Sequence, residues 1–210
     1  MVIAYHVIMS AYGFWLPNDP RGSWSDNIRK FELLCFGPPT RVRNNEFVAH
    51  VPHNRRLREA AKEVLDYPPV VFTAEQIEVI GKGFAQFVEK SGVTFWAVSI
   101  LDDHIHAVYM RHRYKSEMVN NLLKGELTKS LVEWDVHPLR SHVRPGDRPP
   151  PCWGRKWWTV IDNLDHLQQA IPYVEDNPLM DGRHRQTWGF VVPYPITLAE
   201  WKAKKGQTPV

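Results

Sequence analysis

Residues 93–110 read VTFWAVSILDDHIHAVYM. Two runs rich in β-branched and aromatic residues flank Asp102 and Asp103, so the segment predicts a β-hairpin closed by a tight turn. The return strand carries His104 and His106 with Ile105 between them. Side chains alternate across a strand, so the two histidines share one face and Ile105 takes the other. Two imidazoles on one face can hold one metal ion. They can equally be polar groups on a half-buried face, and the spacing alone leaves both readings open.

The flanking segments supply partners for this hairpin. Val2 to Met9 alternates and is rich in Val, Ile and Tyr, which predicts a strand. Asn54 to Asp66 predicts a short helix with a basic start. From Thr73, TAEQIEVIGKGFAQFVEKSG predicts a longer one: Thr73 and Gln76 stand at capping-box positions, Ile77, Ile80, Phe84, Phe87 and Val88 form an apolar stripe, and Gly92 ends it. Ser116 to Trp134 reads as a further helix, and RKWWTVI as a strand. A last helix, capped by Asp162 or Asn163, runs through LDHLQQAIPYVEDN, with Pro178 after it. Helices set between the strands of a hairpin-containing sheet predict an α+β fold. The order is that of the ferredoxin-like split-βαβ plan, an antiparallel sheet with helices on one face. With 210 residues, 43% of them apolar, one domain is expected over residues 1–185, with loop insertions near 27–54 and 135–152. Residues 186–210 read as a basic tail.

The net charge of +3 permits a nucleic-acid partner without demanding one. Cys35 and Cys152 have no metal-type spacing, and a reduced protein is the simpler reading. No apolar run reaches the ~18 residues of a membrane helix. The start, MVIAYHVIMSAYGFW, lacks a basic region and a cleavage site, so a cytoplasmic protein without a membrane partner is expected.

A second constellation is PYVEDNP, residues 172–178. On a helix Tyr173 and Asn177 are i and i+4 and share a face. A deprotonated phenol is a nucleophile and an amide oxygen is a ligand, although a core tyrosine would read the same way. Pro172 is expected to bend the helix there. Basic groups interleaved with aromatics suit a single strand, whose bases stack and whose phosphates pair with cations. Candidates are Trp15 and Arg21 in the loop YGFWLPNDPRGSW, then Arg111, Arg113 and Lys115 in RHRYK. Arg140, Arg144 and Arg148 of the Pro-rich loop follow, and Arg155 with Lys156. Solvated surface arginines would look the same.

Taken together, the H-x-H pair, the WGRKWW strand, the Y-x-x-x-N-P helix and the loop YGFWLPNDPRG resemble the single-tyrosine transposases of the HUH endonuclease superfamily. The resemblance is strongest to the REP-associated tyrosine transposases. It covers the N-terminal loop and most of residues 93–180. It implies that His104, His106 and Asn177 bind Mg2+ or Mn2+, and that Tyr173 attacks single-stranded DNA at a hairpin to form a 5′-phosphotyrosine link. It also implies a nucleoid location and either a monomer or a homodimer. Two other readings remain. One is a catalytically silent module on the same fold that binds hairpin DNA or RNA. The other is a metal hydrolase without a covalent step, which would need no Tyr173 and for which the nearby acids are Asp102 and Asp103.

Overall fold

The structure, a computed structural model, describes residues 1–17, 19, 31–37 and 54–195. Arg21 and most of the 27–54 insertion lie outside the described residues. The elements are β1 (Ala4–Ala11), a 3-10 turn (Phe31–Phe36), α1 (Arg55–Glu63), α2 (Ala74–Ser91), β2 (Phe95–Ile100), β3 (His104–Met110), α3 (Ser116–Glu133), β4 (Trp153–Ile161) and α4 (Leu164–Met180). Among the described residues, four strands form one antiparallel sheet in the order β2-β3-β1-β4. β3 lies between β1 and β2, so β1 and β2 are parallel and joined by a crossover through α2. This is the split-βαβ plan expected from the element order.

Alternation along the strands makes two unlike faces. Val7, Met9, Ile105, Ala107 and Tyr109 face α2 and α3 and build the main core with Phe84, Phe87, Leu123 and Leu127. The opposite face carries a smaller apolar cluster of Ala4, Trp96, Ala97, Val108 and Ile161, which buries Leu167, Ala170 and Val174 of α4. The expectation of helices on one face therefore holds for α2 and α3 and is corrected for α4. α4 follows the last strand rather than bridging two strands, so no crossover ties it to the first layer. A bulge in β2 between Phe95 and Ala97 sets Trp96 and Ala97 together on the α4 side.

Local signals account for the helices. Thr73 caps α2 in a reciprocal capping box with Gln76, and Gly92 ends it at φ 70°, a left-handed turn that suits glycine. The Tyr109 phenol, fully buried in the main core, hydrogen-bonds to Ser116 Oγ at 2.8 Å and Asn120 Oδ1 at 3.3 Å, which ties β3 to the first turn of α3. Burial pushes its pKa up to about 12. Cys35 is exposed, Cys152 is buried, and both are free. Among the described residues no helix is long and apolar enough to cross a membrane.

Residues 186–192, read from the sequence as the start of a tail, pack against the domain. The Gln186 side chain bonds both the N–H and the carbonyl of Ile100, each at 2.7 Å, and Val192 N–H donates to Phe95 O at 2.9 Å. These bonds cover the outer edge of β2, which would otherwise present unpaired backbone groups. Phe190 stacks on Phe84 at 5.4 Å, and Trp188 lies over α2 at Gly81. A β-carbon at Gly81 would come within 2.2 Å of the Trp188 ring. Gly→Ala in a helix normally stabilises by ~1 kcal/mol, whereas forcing a ring out of place costs ~1–3 kcal/mol. Gly81→Ala is therefore expected to lower the thermal midpoint in the wild-type background and to raise it in a Trp188→Ala background. A stabilising Gly81→Ala in both backgrounds would refute the contact.

Candidate active site

The site begins with the register of β1 on β3. Ser10 stands opposite His104, Ile8 opposite His106 and His6 opposite Val108. His6 thus shares a face with both histidines and lies diagonally across from His106, within reach of a ring. Its Nε2 is 3.0 Å from Nδ1 of His106, with ring centroids 5.2 Å apart. The His104 and His106 centroids are 4.8 Å apart, so the pair faces one way as expected. Across the other side, β2 places Ser99 opposite His106. The Ser99 hydroxyl is buried and makes no hydrogen bond among the described residues.

Helix α4 closes this face. Asn163 caps it by accepting from His166 N–H, and Leu167, Ala170 and Val174 seat it on the sheet. That seating brings Tyr173 over the histidines: its ring is edge-on to His106 at 5.5 Å and to His6 at 6.0 Å. Tyr173 keeps 38% of its surface exposed, while Asn177, one turn on, is buried. Both Pro172 and Pro178 lie inside α4, so the helix runs one turn past the expected stop. Apolar seating outweighs the loss of two helical N–H donors.

Burial sets the charge states. It lowers the His6 pKa to about 4, with His166 adding to the effect, and it holds His106 well below the usual histidine range, helped by His104 and His6. Both rings are therefore neutral at neutral pH and carry a lone pair. Burial also raises the Tyr173 pKa, an effect that the Asn177 hydrogen bond partly offsets. Nδ1 of His104 lies 2.5 Å from Asp103 Oδ1. A carboxylate can only accept, so Nδ1 of His104 donates and the ring's other nitrogen, Nε2, is the one turned away from Asp103. A histidine oriented by a carboxylate is the usual arrangement behind a metal ligand.

Among the described residues, no group of three or more His, Cys, Asp or Glu side chains is arranged to hold a metal. The available donor set is two imidazoles and the Asn177 amide. That nitrogen–nitrogen–oxygen set fits a borderline ion such as Mn2+ better than Mg2+, which prefers oxygen throughout.

The expected DNA contacts divide by position. Trp15, held at φ 56°, places its ring 6.2 Å from His104. Beside it lies a cavity of about 250 Å³ lined by Gly13, Phe14, Leu16, Asp19, Arg58 and Lys62 as well. Arg111, Arg113 and Lys115 are exposed beyond the far end of β3, roughly 20 Å from His104 at a strand rise of ~3.3 Å per residue. Arg113 sits over the Tyr114 ring at 5.1 Å. The structure does not bring this run to the histidines. Arg140, Arg144 and Arg148 lie in the loop before β4, and all three are exposed. Lys156 pairs through its backbone with Met9, and the side chains of Arg155 and Lys156 lie outside the described residues. His6 was not singled out in the sequence. Alternation in β1 puts it on one face, but only the register shows that it meets His106. Arg58 and Lys62 were legible as a basic helix without an address.

No protein-family model and no curated protein matches the sequence. Among solved structures, the chain is similar to a REP-associated tyrosine transposase bound to a REP hairpin, at 11% identity and TM-score 0.43 over 99% of this chain and 82% of that one. It is also similar to a candidate transposase from Deinococcus radiodurans R1, at 10% identity and TM-score 0.37 over 89% of this chain and 94% of that one.

Proposed function

We propose that this chain cleaves and rejoins single-stranded DNA next to a hairpin, with Tyr173 as nucleophile. The observation that carries the reading is Tyr173 itself, 38% exposed and edge-on to the buried, neutral rings of His6 and His106, with Asn177 one helical turn on. A structural tyrosine would be expected to bury its ring and point its hydroxyl at a fixed partner in the core, as Tyr109 does. Tyr173 instead keeps 38% of its surface exposed at the border of the histidine face.

The chemistry balances within the chain and its substrate. The Tyr173 oxygen bonds to phosphorus and its proton leaves to solvent. The bond from phosphorus to the 3′ oxygen breaks, and that oxygen takes a proton to become a 3′-hydroxyl. The 5′ side remains as a phosphotyrosine, so the phosphodiester energy is kept for rejoining. Attack by a 3′-hydroxyl reverses the step and frees Tyr173. Nε2 of His104, Nε2 of His106 and the Asn177 oxygen are the groups that would hold Mg2+ or Mn2+, which when bound supplies Lewis-acid polarisation of the scissile phosphate. Asn177 would have a second task, since its amide N–H could stabilise the phenolate while its oxygen would be one of the groups to hold the ion. Trp15, with Phe14, Arg58 and Lys62 behind it, offers a stacking surface and cations for the strand beside His104.

Tyr173→Phe removes only the hydroxyl. It is expected to bind a labelled single-stranded hairpin as wild type does and to form no covalent adduct on a denaturing gel with Mn2+ present. Tyr114→Phe, changed beyond the far end of β3, should keep the adduct. An adduct from Tyr173→Phe would show that the nucleophile is another residue. No adduct from wild type on any hairpin tried would favour the binding module.

The raised Tyr173 pKa sets the pH dependence. Below that pKa the phenolate fraction grows about tenfold per pH unit. Adduct formation at saturating DNA should therefore rise between pH 7 and 9, approaching that slope where attack limits the rate. Asn177→Ala removes the bond that favours phenolate, so its profile should shift to higher pH. A flat wild-type profile under single-turnover conditions would contradict attack from a scarce phenolate.

A further inference from the structure

Both ligand histidines of the proposed site have their Nδ1 atoms engaged, but by different kinds of partner. For His104 the partner is Asp103 Oδ1, which can only accept, so the tautomer is set. For His106 the partner is Nε2 of His6 at 3.0 Å, and an imidazole nitrogen can donate or accept. If His6 donates, His106 carries its proton on Nε2 and has no lone pair to offer there. If His6 accepts, His106 carries its proton on Nδ1 and leaves Nε2 bare.

We propose that His6 is a positioning residue for the metal site: its Nε2 accepts from Nδ1–H of His106 and holds that ring in the tautomer and orientation whose Nε2 binds the ion. The inference rests on the metal reading above. Three observations support it. His6 and His106 are 9% and 4% exposed, so water competes little for the bond. They sit on the two central strands, whose register is held by seven consecutive pairs, so the diagonal contact is built into the sheet. The rings tilt by 32° with centroids 5.2 Å apart, near enough that His6 also limits how far His106 can turn. The result matches what Asp103 does for His104, supplied from β1 instead of from the hairpin turn. Such outer partners of ligand histidines fix both proton position and ring angle.

The test uses the full chain and Mn2+ alone, titrated by calorimetry without DNA. His6→Phe keeps a ring and removes the acceptor; His6→Gln places an amide oxygen near the lost Nε2. His6→Phe is expected to weaken Mn2+ binding about 10–100-fold, and His6→Gln to stay close to wild type. Binding of a labelled hairpin in chelator should be unchanged in both, which a general loss of structure would not allow. Nitrogen NMR of the metal-free wild type should show His106 protonated at Nδ1 and bare at Nε2, and this needs no variant to fold. Wild type that binds Mn2+ while His6→Phe binds it equally well, or a His106 ring protonated at Nε2, would overturn the role of His6 and leave the metal reading standing. Folded wild type that takes up no Mn2+ would overturn the metal reading and this inference with it.

Discussion

Seven backbone pairs between β1 and β3, from Ala4 opposite Met110 to Ser10 opposite His104, decide which side chains meet on each face of the sheet. A slip of one residue would turn His6 toward the apolar layer and Val7 toward α4. The pattern forbids that slip, because Val7 and Met9 are needed among Phe84, Leu123 and Ile105. The polar site is thus held in register by the apolar face behind it. The opposite face can then carry three histidines because α4, and not water, covers most of it.

That cover acts in opposite directions on the two kinds of group beneath it. Removing water disfavours whichever form is charged. For His106 the charged form is one that could not bind a metal, and for His6 one whose Nε2 could not accept from His106, so burial favours the neutral form that the proposed site needs. For Tyr173 the charged form would be the nucleophile of the proposed reaction, so the same burial works against it. The chain answers by leaving Tyr173 partly exposed and giving it Asn177 as a partner.

The hairpin at 93–110, the capped helix α2 and the strand order could be read from the sequence, because each rests on local alternation, a helical stripe or a turn. The histidine pair and the Tyr173–Asn177 spacing could be read for the same reason. What could not be read depends on tertiary packing. His6 looked like one polar residue in a β-strand until its diagonal neighbour was known. The side of the sheet that α4 takes follows from small residues at Ala4, Ala97 and Ala170, whose common cluster no periodicity reveals. Residues 186–192 looked like a tail because their apolar groups, Trp188, Phe190 and Val191, have no regular spacing. Pro178 looked like a stop, yet buried contacts carry the helix past it.

The position of Tyr173 on α4 explains how one helix can serve a dry site and an open one together. Successive residues turn ~100° about a helix axis. Leu167, Ala170, Val174 and Pro178 define the buried stripe. Tyr173 then stands roughly 105° from the centre of that stripe and Asn177 roughly 65° from it, on the same side. Asn177 is therefore carried into the histidine face, whereas Tyr173 rides at its border with solvent. Pro172 points away, where its ring disturbs no contact with the sheet. Beyond the helix, Arg183 pairs with Asp102 at 2.6 Å and Arg185 with Asp176. The first of these ties the segment after α4 to the turn that precedes His104. The side chains of the proposed site are thus held relative to one another through the apolar stripe and through that ion pair, so α4 cannot roll without moving Asn177 and Tyr173 together.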